Sequence, residues 1–117
     1  MTVQLKESKT AGALVLHLEG ELMGGEETKA FQERIYSAIR EGAVHIVVDM
    51  DLVKWMNSSG LGSLMAGMIT LRGSGGDMKL ARLNDRVRRP IEITKLDQIL
   101  KIYNSVEEAA AGFEKGA

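Results

Sequence analysis

The residues best suited to chemistry crowd into one stretch, Asn57-Ser58-Ser59-Gly60-Leu61-Gly62, which follows an apolar run ending at Asp49. Two hydroxyls stand there at the threshold of a helix. The first N–H groups of a helix lack internal partners and carry the positive end of its macrodipole, so a phosphate borne on such a serine gains charge-assisted hydrogen bonds. The same residues also suit plain capping, because asparagine and serine are preferred at helix N-termini. Spacing alone leaves both readings open. A nucleophilic role for Ser58 or Ser59 has little support: only His17 and His45 could serve as bases, and no Gly-x-Ser-x-Gly elbow surrounds the serines.

Composition narrows the classes further. A chain of 117 residues with no cysteine can bury a core of its own, and it excludes a disulfide framework, a thiolate zinc site and a thiol nucleophile. With two histidines at strand positions and no cluster to complete a site, we expect no metal and no cofactor. The net charge of −1, with acids and bases spread along the chain, argues against nucleic acid as a partner. Met1 to Glu7 has no apolar signal core and no membrane-length apolar run follows, so we expect a cytoplasmic protein without membrane insertion.

The elements that must position the serines read as alternating strands and helices. A first strand is expected at Val3 to Lys6. Residues 13 to 20 alternate, with Leu14, Leu16 and Leu18 on one side and Val15, His17 and Glu19 on the other, as in a half-buried strand. Glu26 and Glu27 suit the first turn of a helix on which Phe31, Ile35, Ala38 and Ile39 recur at helical spacing and which closes at Arg40 and Gly42. Val44 to Val48 reads as a central strand, after which the chain turns into the serines. From Ser58 or Ser59 to about Leu71, the spacing of Leu61, Leu64, Met65, Met68 and Ile69 predicts a helix with one apolar side. Its other side holds Ser59, Gly62, Ser63, Ala66, Gly67 and Thr70, all small, a flat surface that invites close approach. Trp55 and Met56 are expected in a loop before the serines, tucked onto the core or, if exposed, serving as anchors for a partner.

Further along, Gly73-Ser74-Gly75-Gly76 is a turn without P-loop lysine, and Met78 to Leu83 a strand. A helix capped by Asn84 or Asp85 follows to about Thr94 with Pro90 inside it, then a short strand at Ile99 to Tyr103. Ser105-Val106-Glu107-Glu108 opens a last helix with a capping-box pattern. Lys79, Arg82, Arg86, Arg88 and Arg89 read as a solvated basic face, with a docking patch for an acidic partner as the alternative.

This order of elements, the strand ending in Asp49, the Asn57-Ser58-Ser59-Gly60-Leu61-Gly62 turn, and the tail from Ile91 through Ile99 and Ile102 to Ala109 together resemble the STAS family, the anti-sigma factor antagonists of bacteria. The resemblance runs from about residue 3 to residue 113. It implies one STAS domain over residues 1–117, an α/β fold with a four- to five-stranded mixed sheet and helices mainly on one face. It also implies a regulatory switch and not an enzyme: the unmodified protein binds an anti-sigma factor that is a serine kinase, and phosphorylation of the serine directly before the glycine, Ser59 here, ends that binding. Asn57, Ser58, Gly60 and Gly62 would form the surroundings of the phosphate. Trp55, Met56, Ser63, Ala66, Thr70 and Met23 would contact the partner. A phosphatase and a second copy of the chain are further partners consistent with it. Two positions depart from the family pattern, Asn57 in place of aspartate and Met23 where Gly20-Glu21-Leu22 is usually followed by aspartate, and each deletes an acid. They favour the rival reading, a STAS scaffold or ligand-sensing module that is never phosphorylated and works in a larger signalling or transport-associated assembly.

Overall fold

Residues 4–24 and 28–115 are described in a computed structural model, and their sheet is built outward from the most β-branched run of the chain. That run begins β3 (His45–Met56), which lies at the centre of a five-stranded sheet of order β1-β2-β3-β4-β5. β1 (Gln4–Thr10) and β2 (Ala13–Leu22) form an antiparallel hairpin, whereas β3, β4 (Asp77–Ala81) and β5 (Ile102–Tyr103) run parallel to β2. The parallel pairs require helical crossovers, supplied by α1 (Lys29–Arg40), α2 (Ser58–Gly73) and α3 (Asp85–Ile93). α4 (Val106–Lys115) follows β5.

The larger core lies between one sheet face and α1, α2 and α3, where Leu14, Leu16, Ile46, Val48 and Leu80 meet Phe31, Leu64 and Val87. α4 covers the opposite face with a smaller cluster, in which Val106, Ala109 and Ala110 pack on Ala13, Val15 and Val47. The expected mixed sheet with helices mainly on one side is therefore present. β2, however, is not half-buried over its first four residues: Val15 is as inaccessible as Leu16 because α4 returns over it.

Several boundaries differ from the sequence expectation. The central strand does not stop at Asp49 but continues through Met56, because the long β2 keeps pairing with it as far as Leu22–Met56 and Asn84 Nδ2 donates to the Val53 and Lys54 carbonyls. Trp55 and Met56 are thus strand residues and not loop residues. On α2 the inward side is Gly60, Leu61, Leu64, Gly67, Met68 and Leu71, with Met65 partly buried; Ile69 is 62% exposed, and Gly67 faces α1 instead of the flat surface. Lys79 is buried on the α4 side, its ammonium 5.5 Å from the Tyr103 ring centre and 5.1 Å from that of Phe113, so it leaves the solvated basic face. β5 keeps only Ile102 and Tyr103, since the Ile99 and Leu100 N–H groups turn back to the Leu96 carbonyl at the end of the 3-10 turn Leu96–Gln98. Val3, Glu26 and Glu27, named for the first strand and the first turn of α1, lie outside the described residues. The serine half of the α4 capping box forms, with the Glu108 N–H donating to Ser105 Oγ at 3.0 Å, while the Glu108 carboxylate accepts from the Ser105 hydroxyl at 3.2 Å.

Candidate functional site at the start of α2

The strand-to-helix junction is held from both sides. Asn57 is the N-cap in extended conformation, and its Oδ1 accepts the Gly60 N–H at 2.8 Å, while its own N–H donates to the Leu22 carbonyl at 3.2 Å. The Leu61 N–H donates to the Asn57 carbonyl at 3.0 Å and begins the helical ladder. Among the described residues nothing accepts from the Ser58 and Ser59 N–H groups. Two donors at the positive end of α2 are therefore open to an anion, and no acidic side chain stands in the first turn to repel one.

Backbone contacts dictate the glycines here. A Cβ at Gly60 would lie 1.9 Å from the Leu22 carbonyl oxygen, so only glycine lets the helix start dock against the end of β2. Gly24, at φ +81, crosses over Ser59 so closely that a Cβ on it would meet the Ser59 Cβ at 2.5 Å.

Both serines are exposed but they face different surroundings. Ser58 borders a groove between α2 and α3. Ser59 turns to the other side, beside Gly24 and in line with Ser63, Ala66 and Thr70. Ser63 and Thr70 are half-buried and donate their hydroxyls to the Ser59 and Ala66 carbonyls at 3.2 and 2.9 Å, which keeps that side of the helix smooth. Gln32 of α1 donates to the Ser63 carbonyl at 2.8 Å and so borders the same surface. Ala66 and Gly62 are exposed, and Met23 is half-buried at the exit of β2. Trp55 is partly exposed, its indole N–H donating to Glu21 at 2.5 Å. Met56 does not project as an anchor: it is 5% exposed and belongs to the core, because it ends a strand covered by α2 and α3.

A second polar array, not apparent from the sequence, sits on the face that α4 covers. His17 Nδ1 lies 2.6 Å from Asp49 Oδ2 and its Nε2 lies 2.8 Å from Ser8 Oγ. Hydroxyl, imidazole and carboxylate follow one another as in a nucleophilic triad. Arg82 clasps both oxygens of Asp49, at 2.9 and 2.6 Å, and so neutralises the charge that would stabilise an imidazolium. The array ties β1, β2 and β3 to the end of β4. Burial pushes the Asp49 carboxyl up, but hydrogen bonds from Arg82, His17 and the Asp51 amide, with the Arg82 charge, outweigh it and hold the group below the usual aspartate range. Its only sequence signal is an acid inside an apolar strand run, which names no partner.

The sequence model of the STAS domain matches residues 3–109. The chain is 26% identical over 114 residues to the anti-sigma F factor antagonist of Paenibacillus polymyxa, covering 97% of each. Its fold is similar to the crystal structure of a candidate anti-sigma factor antagonist from Thermotoga maritima, with a TM-score of 0.84 at 24% identity over 94% of each chain. It is also similar to the Bacillus cell fate determinant SpoIIAA in its phosphorylated form, with a TM-score of 0.69 and 26% identity over 92% of this chain and 96% of that one.

Proposed function

The chain belongs to the STAS domain family, and from that premise we propose that it is an anti-sigma factor antagonist, a regulatory binding protein and not an enzyme, switched at Ser59. The observation that carries this reading is the capped start of α2, with an exposed Ser59 and two N–H donors that nothing among the described residues claims. Relatives named as anti-sigma factor antagonists, and the phosphorylated SpoIIAA structure, support it. Unmodified, the flat side of α2 from Ser59 to Thr70 docks on an anti-sigma factor in the cytoplasm and withholds it from its sigma factor. The anti-sigma factor, as a serine kinase, transfers a phosphoryl group from its own ATP to Ser59 Oγ, and a phosphatase removes it.

The electrostatics support such a switch. Phosphorylation adds about −1.5 to −2 charges. The N–H groups left unclaimed among the described residues and the absence of first-turn acids stabilise that charge in the isolated protein, whereas docking would strip its water against a smooth, uncharged surface. Asn57 retains the capping bond that an aspartate would make, without placing a carboxylate beside the phosphate. Ser59 is preferred over Ser58 because it shares a side of α2 with Ser63, Ala66 and Thr70, while Ser58 borders the groove.

The test is incubation with the cognate anti-sigma kinase and ATP, read by intact-mass spectrometry. Wild type and Ser58→Ala should each gain one phosphate, Ser59→Ala none, and Ser59→Ala should hold the partner regardless of ATP. Equal phosphorylation of Ser59→Ala, or no phosphorylation of the wild type by an active kinase, overturns the assignment and leaves the non-phosphorylated module.

A further inference from the structure

Beside the serines lies a cavity of about 680 Å³, within the range of small-ligand clefts. Its floor comes from the end of β3 and the start of α2, through Trp55, Met56 and Leu61. Its far wall is one side of α3, where Arg86, Arg89, Pro90, Ile93 and Thr94 recur at i, i+3, i+4, i+7 and i+8. α3 thus has two apolar uses: Val87 and Ile91 face the core, and Pro90 and Ile93 face the groove. Ile93 is 68% exposed and Trp55 37%, an apolar surface that nothing within the described residues covers.

The charged residues that line the groove are few and of one sign. Arg86 and Arg89 line it, and neither has a hydrogen bond or ion pair among the described residues, whereas Arg88, pointing elsewhere, lies 4.0 Å from Glu92. Neither acid of α3, Asp85 or Glu92, is among the lining residues. Ser58 and Asn57, from the start of α2, line the groove as well. We propose that this groove binds a free small amphiphilic anion, an apolar body seated on Trp55 and Ile93 with one anionic head held by Arg86 and Arg89. Guanidinium forks hold carboxylate or phosphate oxygens in pairs, and the apolar floor supplies the remaining affinity. Because Ser58 and Asn57 are shared with the helix start, an occupied groove alters the surface beside Ser59; that coupling rests on the function proposed above, while binding itself does not.

Trp55, the single tryptophan of the chain, lines the groove and reports on it directly. The full chain, without kinase or partner, is titrated with decanoate and with decanol below micellar concentrations while Trp55 emission is followed. Decanoate should give a saturable change, decanol should bind about tenfold more weakly, and the double variant Arg86→Ala/Arg89→Ala should bind decanoate no better than decanol. Ile93→Glu, at an exposed position, should weaken both ligands with an unchanged thermal melt. Absence of a saturable change with decanoate, equal affinity for both compounds, or indifference to the arginine variant overturns the proposal. If neither probe binds while Ile93→Glu abolishes partner capture, the groove is a protein-docking surface; if neither binds and Ile93→Glu disperses a concentration-dependent dimer, a second copy fills it. Either result also overturns the proposal. Since no phosphoryl transfer is involved, failure here leaves the Ser59 switch standing, and failure of the switch leaves this site standing.

Discussion

Asp49 is buried in the middle of β3, and three partners converge on its carboxylate: His17, the Asp51 N–H and the forked Arg82. Replacing it with asparagine keeps the shape but turns one acceptor into a donor that faces His17 or Arg82. With Arg82 and His17 both partly exposed, the loss should be discounted from that of a fully buried pair, to about 1 to 3 kcal/mol in chemical denaturation at neutral pH. The pH sign follows from the lowered Asp49 pKa. A carboxyl depressed in the folded state contributes stability above its unfolded value, about 3.9, and that contribution is lost as pH falls through the folded value. Wild type should therefore lose stability below about pH 4 through this group, and Asp49→Asn should show a shallower acid limb; parallel limbs would remove Asp49 from the account. The array was illegible beforehand because Ser8, His17, Asp49 and Arg82 lie far apart in the chain, and only strand register brings them together. The Asn57 cap was legible because it is local: the residues that make it are three apart.

At the scale of elements, what could be read depended on whether a segment's neighbours were near in sequence. The buried leucine side of β2, the Ser105 cap of α4 and the cap of α3, where Asn84 Oδ1 accepts the Val87 N–H at 3.0 Å, are local patterns and appear as expected. The length of β3 is not local. Asp51, Leu52 and Lys54 are exposed and interrupt the apolar run, so the extension to Met56 is dictated by pairing with β2 and by Asn84 from α3. The two-residue turn between β1 and β2 places Ala11 at φ +49 and Gly12 at φ +83, the conformation of a type I′ hairpin. Alanine resists that region, while asparagine tolerates it. Ala11→Asn should therefore raise stability by about 0.5 to 1 kcal/mol in a denaturant melt. An unchanged or lowered midpoint would show that the turn relaxes away from this geometry.

Across the whole molecule, placing α1, α2 and α3 on one face and α4 on the other sets which side of α2 is left for a partner. α2 spends Leu61, Leu64, Gly67, Met68 and Leu71 on the core, and α1 approaches closely enough that a Cβ at Gly67 would lie 2.7 Å from the Ile35 methyl. Ser59 and Ala66 remain exposed along one side, with Ser63 and Thr70 half-covered between and beyond them. A bulky side chain at Ala66 would point into water in the free protein, and exposed substitutions of that kind usually shift stability by no more than about 0.5 kcal/mol. The same bulk would stand between α2 and any surface that must lie flat on it. Ala66→Trp should therefore melt with the wild type while its capture of the anti-sigma factor falls at least about tenfold, a loss of about 1.4 kcal/mol. A thermal melt and a pull-down of the partner check both halves together. Ile69→Trp, at a site 62% exposed on the same helix but offset from the Ser59 side, serves as the matched control. If capture survives Ala66→Trp but fails with Ile69→Trp, the docking side of α2 is rotated away from Ser59, and a phosphate there would have to act at a distance from the contact.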